Sequence, residues 1–138
     1  MKIKLASNTI PNEHLDSLSD WLKKYPKLTK GDLTLQFEKT FSDFLGCTQS
    51  RLVNSGSSAN MLIAAANLYY KDLQSMKICV PAVSWSTTLA PFMQLGYEPI
   101  LIDCDPVNLG INIDHLNQII KTEKVGSLIL VHVLGHDS

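Results

Sequence analysis

Cysteine is scarce and poorly placed for chemistry. Cys47, Cys79 and Cys104 are odd in number and widely spaced, with no C-x-x-C pair. A zinc site or a disulfide framework needs closer or even-numbered sets, so reduced and mostly buried thiols are expected. Neither sign of charge dominates: 12 lysines and arginines stand against 13 aspartates and glutamates. The densest basic cluster, Lys23, Lys24, Lys27 and Lys30, surrounds a predicted helix end and reads as a solvated face, which argues against nucleic-acid binding. Long apolar runs are missing. The longest are residues 61–66 and 127–134, far short of the roughly 20 residues a bilayer-spanning helix needs. The stretch from Met1 to Asp16 turns polar after a few residues and lacks the apolar segment of a signal peptide. A soluble, cytoplasmic chain without membrane contact is expected. Four signatures are absent as well: the P-loop, the dinucleotide G-x-G-x-x-G, the G-x-S-x-G elbow and the zinc H-E-x-x-H.

The 138 residues leave room for one compact core but are few for a two-domain enzyme. With 45% hydrophobic and 18% charged residues, the composition is that of a globular protein rather than a disordered one. Leu15, Leu18, Trp21, Leu22 and Tyr25 recur at helical spacing and predict a helix over 11–25. A second amphipathic helix follows on Leu33, Phe37, Phe41, Phe44 and Leu45, closed by Gly46. Residues 51–54 read as a brief strand. Next come a small-residue helix from Ala59 to about Asp72, a strand over 77–80 halted by Pro81, and a helix from Ser84 to about Leu95 capped by Ser84 or Ser86. Pro91 inside that last helix predicts a kink or a late start. Gly96 ends it. Strands are predicted over 99–103 and, as a continuous apolar run, over 127–133, with a short helix over 114–121 between them. Strands that alternate with helices, the late ones apolar on both faces, predict an α/β fold with a parallel sheet covered by helices. The last strand runs almost to the end with nothing after it to extend the sheet, so a truncated domain is expected.

Two segments carry candidate chemistry. In Asn54-Ser55-Gly56-Ser57-Ser58-Ala59-Asn60 a glycine turn opens a helix, so free backbone N–H groups and the Ser57 and Ser58 hydroxyls would meet a phosphate at the helix's positive end. A helix start of small residues that merely allows close packing explains the segment equally well. In Pro81-Ala82-Val83-Ser84-Trp85-Ser86-Thr87-Thr88 the chain leaves the carboxyl end of a strand, where open α/β sheets hold ligands. Trp85 could lay its face on a planar ring there, although packing is the commoner role of tryptophan. His132 and His136 bracket the end of the last strand. Their spacing suits a metal only on a helix, so His132 reads better as a cleft residue and no metal site is expected. Asp103 and Asp105 precede Pro106 in a turn that Asx hydrogen bonding explains. His14 and His115 fall on exposed helix faces.

In order along the chain, these segments resemble the DegT/StrS family of pyridoxal-phosphate (PLP) sugar aminotransferases and dehydratases. The resemblance rests on Gly31…Phe37-Glu38…Phe41…Leu45-Gly46, the Asn54–Asn60 stretch, Pro81–Thr88, Gly96-Tyr97-Glu98-Pro99 with Asp103-Cys104-Asp105-Pro106, and Val131–Gly135. The serine stretch and Trp85 are most similar to the branch that 3-dehydrates nucleotide-linked 4-keto-6-deoxy sugars for surface polysaccharides. The resemblance implies an incomplete fold type I large domain, with a helical segment over 1–46 and the first part of the PLP-binding domain over 47–138. It implies PLP, or its pyridoxamine form, as cofactor, with Gly56, Ser57 and Ser58 on the phosphate and Trp85 on the pyridine ring. The partner of the pyridine nitrogen, and the lysine or histidine that separates aminotransferase from dehydratase, are expected beyond Ser138. The 138 residues alone are therefore expected to be inactive. A homodimer is implied for the full-length enzyme, with an iron–sulfur reductase as partner in some relatives. The alternatives are a nucleotide-sugar aminotransferase and a non-catalytic remnant.

Overall fold

Proline decides where the first helix stops. The computed structural model describes residues 9–69 and 73–135, and its first element, α1, spans Asn12–Leu22. Pro26 disfavours a right-handed helical Tyr25. Tyr25 instead takes a positive φ of 51° and stands exposed, so the helix ends three residues before the predicted limit. The second helix, α2, spans Asp32–Leu45. Gly46 terminates it at φ 67°, and the Gly46 and Cys47 amides return to the carbonyls of Asp43 and Ser42. A left-handed residue is cheap only as glycine.

The predicted strand at 51–54 does not form. The Leu52 amide donates to the Glu38 carboxylate at 3.0 Å instead of entering a ladder, and the Ser42 hydroxyl donates to Ser50 at 3.0 Å. Residues 47–52 are thereby tied to α2, and the chain divides into one compact unit that ends at Leu52 and another that begins at Val53. Glu38 is the buried polar centre of the first unit. Lys30 approaches its carboxylate at 3.1 Å and Arg51 at 3.6 Å, so Lys30 does more than solvate a helix end. The Leu52 amide first, then Lys30 and Arg51, hold the Glu38 carboxyl below its ordinary value near 4.5. A depressed folded-state value means that its stabilisation is present above about pH 4.5 and is lost as pH falls through the folded value. Glu38→Gln should therefore lower the melting temperature at pH 7, and the gap to wild type should be smaller at pH 3. An equal gap at both pH values would overturn the assignment.

The second unit holds the sheet. Its elements are α3 (Gly56–Tyr69), β1 (Lys77–Pro81), α4 (Ser86–Gln94), β2 (Glu98–Ile102), α5 (Ile113–Thr122) and β3 (Ser127–Leu128). The strand order is β2-β1-β3 and both pairings are parallel. Strand pleating sends alternate residues to opposite faces. Ile78 of β1 packs with Ala64 of α3, Phe92 of α4 and Tyr97, whereas Cys79 packs with Ile102 and Ile111 under α5. Helices thus cover both faces, as the alternation predicts. Gly126 precedes β3 because a Cβ there would run into the backbone carbonyl of Ser75.

β3 is two residues long, not the seven predicted over 127–133. The reason lies on its neighbour. The Ile129 amide still donates to the Cys79 carbonyl at 2.9 Å, and the next donor on that side of β1 belongs to Pro81, which has no N–H. The ladder to β2 is unaffected, because Ala82 donates to Ile102 at 2.8 Å. Beyond β3 the chain leads to a 3-10 turn at Val133–Gly135.

Helix α4 begins at Ser86, later than Ser84, with Trp85 as its cap and no side-chain cap bond. Gly96 closes it at φ 86°, with Gly96 donating to Met93 and Tyr97 to Phe92. The Phe92 and Tyr97 rings then meet edge to face at 5.3 Å, the hydrophobic contact that accompanies this stop. α3 begins at Gly56, three residues before the predicted start, and its expected end near Asp72 lies outside the described residues.

Candidate functional site

A helix leaves its first N–H groups without intrahelical acceptors. At the start of α3, Ser55 takes two of them: its hydroxyl accepts from Ser58 N at 3.1 Å and its carbonyl from Ala59 N at 3.1 Å. The Ser58 hydroxyl donates to Asn54 Oδ1 at 2.6 Å and accepts from Ser55 Oγ at 3.1 Å. Ser58 therefore closes the turn. The amides of Gly56 and Ser57 find no acceptor among the described residues, and they lie where the helix dipole is positive. Unpaired amides at the positive end of a helix, with a hydroxyl beside them, are the kind of donors that anions such as phosphate accept from.

Ser57 and Ser58 line one wall of a pocket of about 280 Å³ between α3 and α4, with Met61, Thr87, Ala90 and Pro91. A second pocket of about 340 Å³ lies over the carboxyl ends of β1 and β2, lined by Pro81, Ser84, Trp85, Ala90 and Leu101 among others. Ala90 borders both, so the serine turn and the indole sit at neighbouring depressions of one unit. Trp85 is 76% exposed, which rules out a core anchor within this unit and leaves the ring open for contact. Its position at the α4 cap follows from the strand-to-helix turn after Pro81.

His132 lies past the end of β3 and is exposed. The connections that leave the carboxyl ends of the adjacent strands β1 and β2 run to opposite faces, through α4 and α5. His132 follows the carboxyl end of β3 and lines neither pocket. His136 lies outside the described residues. No cluster of metal-binding side chains occurs among the described residues. No described helix is long and apolar enough to cross a membrane.

The thiols differ from expectation. Only Cys79 is buried, and burial pushes its thiol pKa up; Cys104 is half-buried and Cys47 exposed, all three being free. Asp105 behaves as expected, its Oδ1 accepting from Val107 at 2.7 Å and Asn108 at 3.2 Å. His115 does not: it is half-buried, and its Nδ1 accepts from the Asp103 amide at 3.0 Å, which pins the β2 exit to α5. Sequence reasoning also passed over Asn60, whose side-chain amide reaches from α3 to the Thr87 carbonyl at 3.1 Å. Its sequence signal was Pro91, which strips that carbonyl of its helical donor.

A parallel sheet with helices on both faces, a serine-rich helix start and an exposed indole at a strand's exit define an α/β protein. The chain belongs to the DegT/DnrJ/EryC1/StrS aminotransferase family, whose model matches residues 8–138. It is 36% identical over 135 residues to a GDP-4-keto-6-deoxy-D-mannose 3-dehydratase of Yersinia pseudotuberculosis, covering 96% of this chain and 34% of that protein. Among solved structures, a GDP-4-keto-6-deoxymannose 3-dehydratase superposes with a TM-score of 0.76 at 29% identity, over 99% of this chain and 36% of the other. The Escherichia coli GDP-4-keto-6-deoxy-D-mannose 3-dehydratase with bound hydrated PLP gives 0.69 at 29% identity, over 91% and 33%. The fold is that of the PLP-dependent aminotransferases, and the chain spans about a third of the length of the relatives it matches.

Proposed function

We propose that this chain is the N-terminal part of a PLP-dependent enzyme that 3-dehydrates nucleotide-linked 4-keto-6-deoxy sugars in deoxysugar and surface-polysaccharide biosynthesis. The observation that carries the reading is the pair of unpartnered amides at Gly56 and Ser57, placed next to the open indole of Trp85. These residues fit PLP: the amides and the Ser57 hydroxyl suit its phosphate, Ser58 holds the turn closed and lines the pocket, and the indole suits its ring. Bound PLP would supply an electron sink for proton removal beside the sugar ketone. The chain's own task is to bind and orient. The α3 amides fix the phosphate, and the Trp85 face shields one side of the ring from water. His132, beyond the carboxyl end of β3, is the candidate for contact with substrate. The group that moves the proton belongs to sequence beyond residue 138. The full-length protein is read as a cytoplasmic homodimer, a state that the exposed apolar side chains Phe37, Phe41 and Phe44 would favour.

The test is a PLP titration of the full-length protein. Trp85→Ala should weaken binding about tenfold, the scale of one lost aromatic stacking partner, while Trp21→Phe leaves it unchanged. Equal affinity in the wild type and Trp85→Ala would remove the indole from the site.

A further inference from the structure

Asn60 joins the two halves of this site. Pro91 sits inside α4 and cannot donate to the carbonyl four residues back, that of Thr87. Asn60 Nδ2 fills the vacant position from a different helix, at 3.1 Å. Asn60 lies one helical turn beyond Ser57, on the face that looks toward α4, and Thr87 lies two residues after Trp85. The bond therefore runs from the anion-binding turn to the turn that carries the indole, across the wall of the pocket lined by Ser57 and Thr87.

We infer that Asn60 is a positioning residue that sets the separation between the phosphate-binding amides on α3 and the ring-stacking Trp85 on α4. The inference rests on the cofactor reading above. PLP is rigid between its phosphate arm and ring, so a ligand that uses both anchors demands a fixed spacing, whereas inorganic phosphate uses only the α3 turn. Proline in α4 is what makes a cross-helix donor necessary: an ordinary residue at position 91 would satisfy Thr87 within its own helix and leave α4 free to slide.

The experiment compares Asn60→Ala with the double variant Asn60→Ala/Pro91→Ala in the full-length protein. Three quantities are read: melting temperature, PLP affinity with the induced circular dichroism of the PLP band, and competition by inorganic phosphate. Asn60→Ala should weaken PLP about tenfold, the scale of one lost hydrogen bond at a partly buried carbonyl, and reduce the induced signal. Its inhibition constant for inorganic phosphate should stay within about twofold, since the α3 turn is untouched. The double variant returns a donor to Thr87, so it should recover the melting temperature but not PLP affinity. Recovery of both would show a purely structural bond and overturn the inference, as would wild-type PLP affinity in Asn60→Ala. If Ser57→Ala and Trp85→Ala also leave PLP binding intact, the cofactor reading itself fails, and the inference with it. If those two impair binding and Asn60→Ala does not, only the inference fails.

Discussion

Ser57→Asp should abolish measurable PLP binding while leaving the melting temperature unchanged or slightly raised. The two effects separate because the same electrostatics act on them in opposite directions. A carboxylate in the first turn of α3 meets the positive end of the helix dipole, a contact worth about 0.3–1 kcal/mol at an exposed site, so folding loses nothing. The phosphate of PLP would then face a fixed negative charge in the place where it needs donors. At a separation of about 4 Å and an effective dielectric near 20, that repulsion is roughly 4 kcal/mol, or more than a hundredfold in affinity. The introduced carboxylate would also compete for the Gly56 and Ser57 amides. Ser57→Ala, which removes only the hydroxyl, should cost far less. A PLP titration beside a thermal melt reads both effects, and Ser57→Asp binding within about threefold of wild type would place the phosphate elsewhere.

The second large effect concerns the sheet that presents these turns. Ile78→Ala should destabilise the protein by about 2–5 kcal/mol, the range for truncating a fully buried aliphatic side chain. Ile78 of β1 is wholly buried, packed with Ala64 of α3 and the Phe92–Tyr97 pair that closes α4. Its neighbours are held by other bonds and cannot collapse into the space: Tyr97 donates its hydroxyl to the Ala64 carbonyl at 3.0 Å, and β1 is laddered on both sides. The cavity would therefore persist, and the melting temperature should fall by roughly 10 °C or more. Leu101 on the neighbouring strand is 56% exposed, and Leu101→Ala should change stability by under about 1 kcal/mol. Comparable losses for the two variants would contradict the packing described.

How much of this could be read from the sequence depends on how far each hydrogen bond reaches along the chain. The stripe Leu33, Phe37, Phe41, Phe44 and the stop at Gly46 are local, since a helix bonds residues four apart and its left-handed end needs glycine. Gly96 is legible for the same reason, as is the Asp105 turn, whose bonds span two or three residues. The serine turn and the indole after Pro81 were also visible, because a small-residue turn, or a strand end halted by proline, runs directly into a helix start. The predicted strand at 51–54 failed because Leu52 found Glu38, which lies 14 residues earlier.

The amino-acid sequence by itself determined the α/β alternation, the helix stops at Gly46 and Gly96, the serine turn and the position of Trp85 at a strand's exit. The tertiary structure alone decided how long β3 could be, since the missing donor belongs to Pro81 on the adjacent strand. It also decided which partner the Thr87 carbonyl takes, since Pro91 only creates the vacancy and Asn60, 27 residues before Thr87, fills it. The division has one physical cause: hydrogen bonds within a turn of chain are written into the order of residues, whereas those between elements exist only once the helices have packed on the sheet.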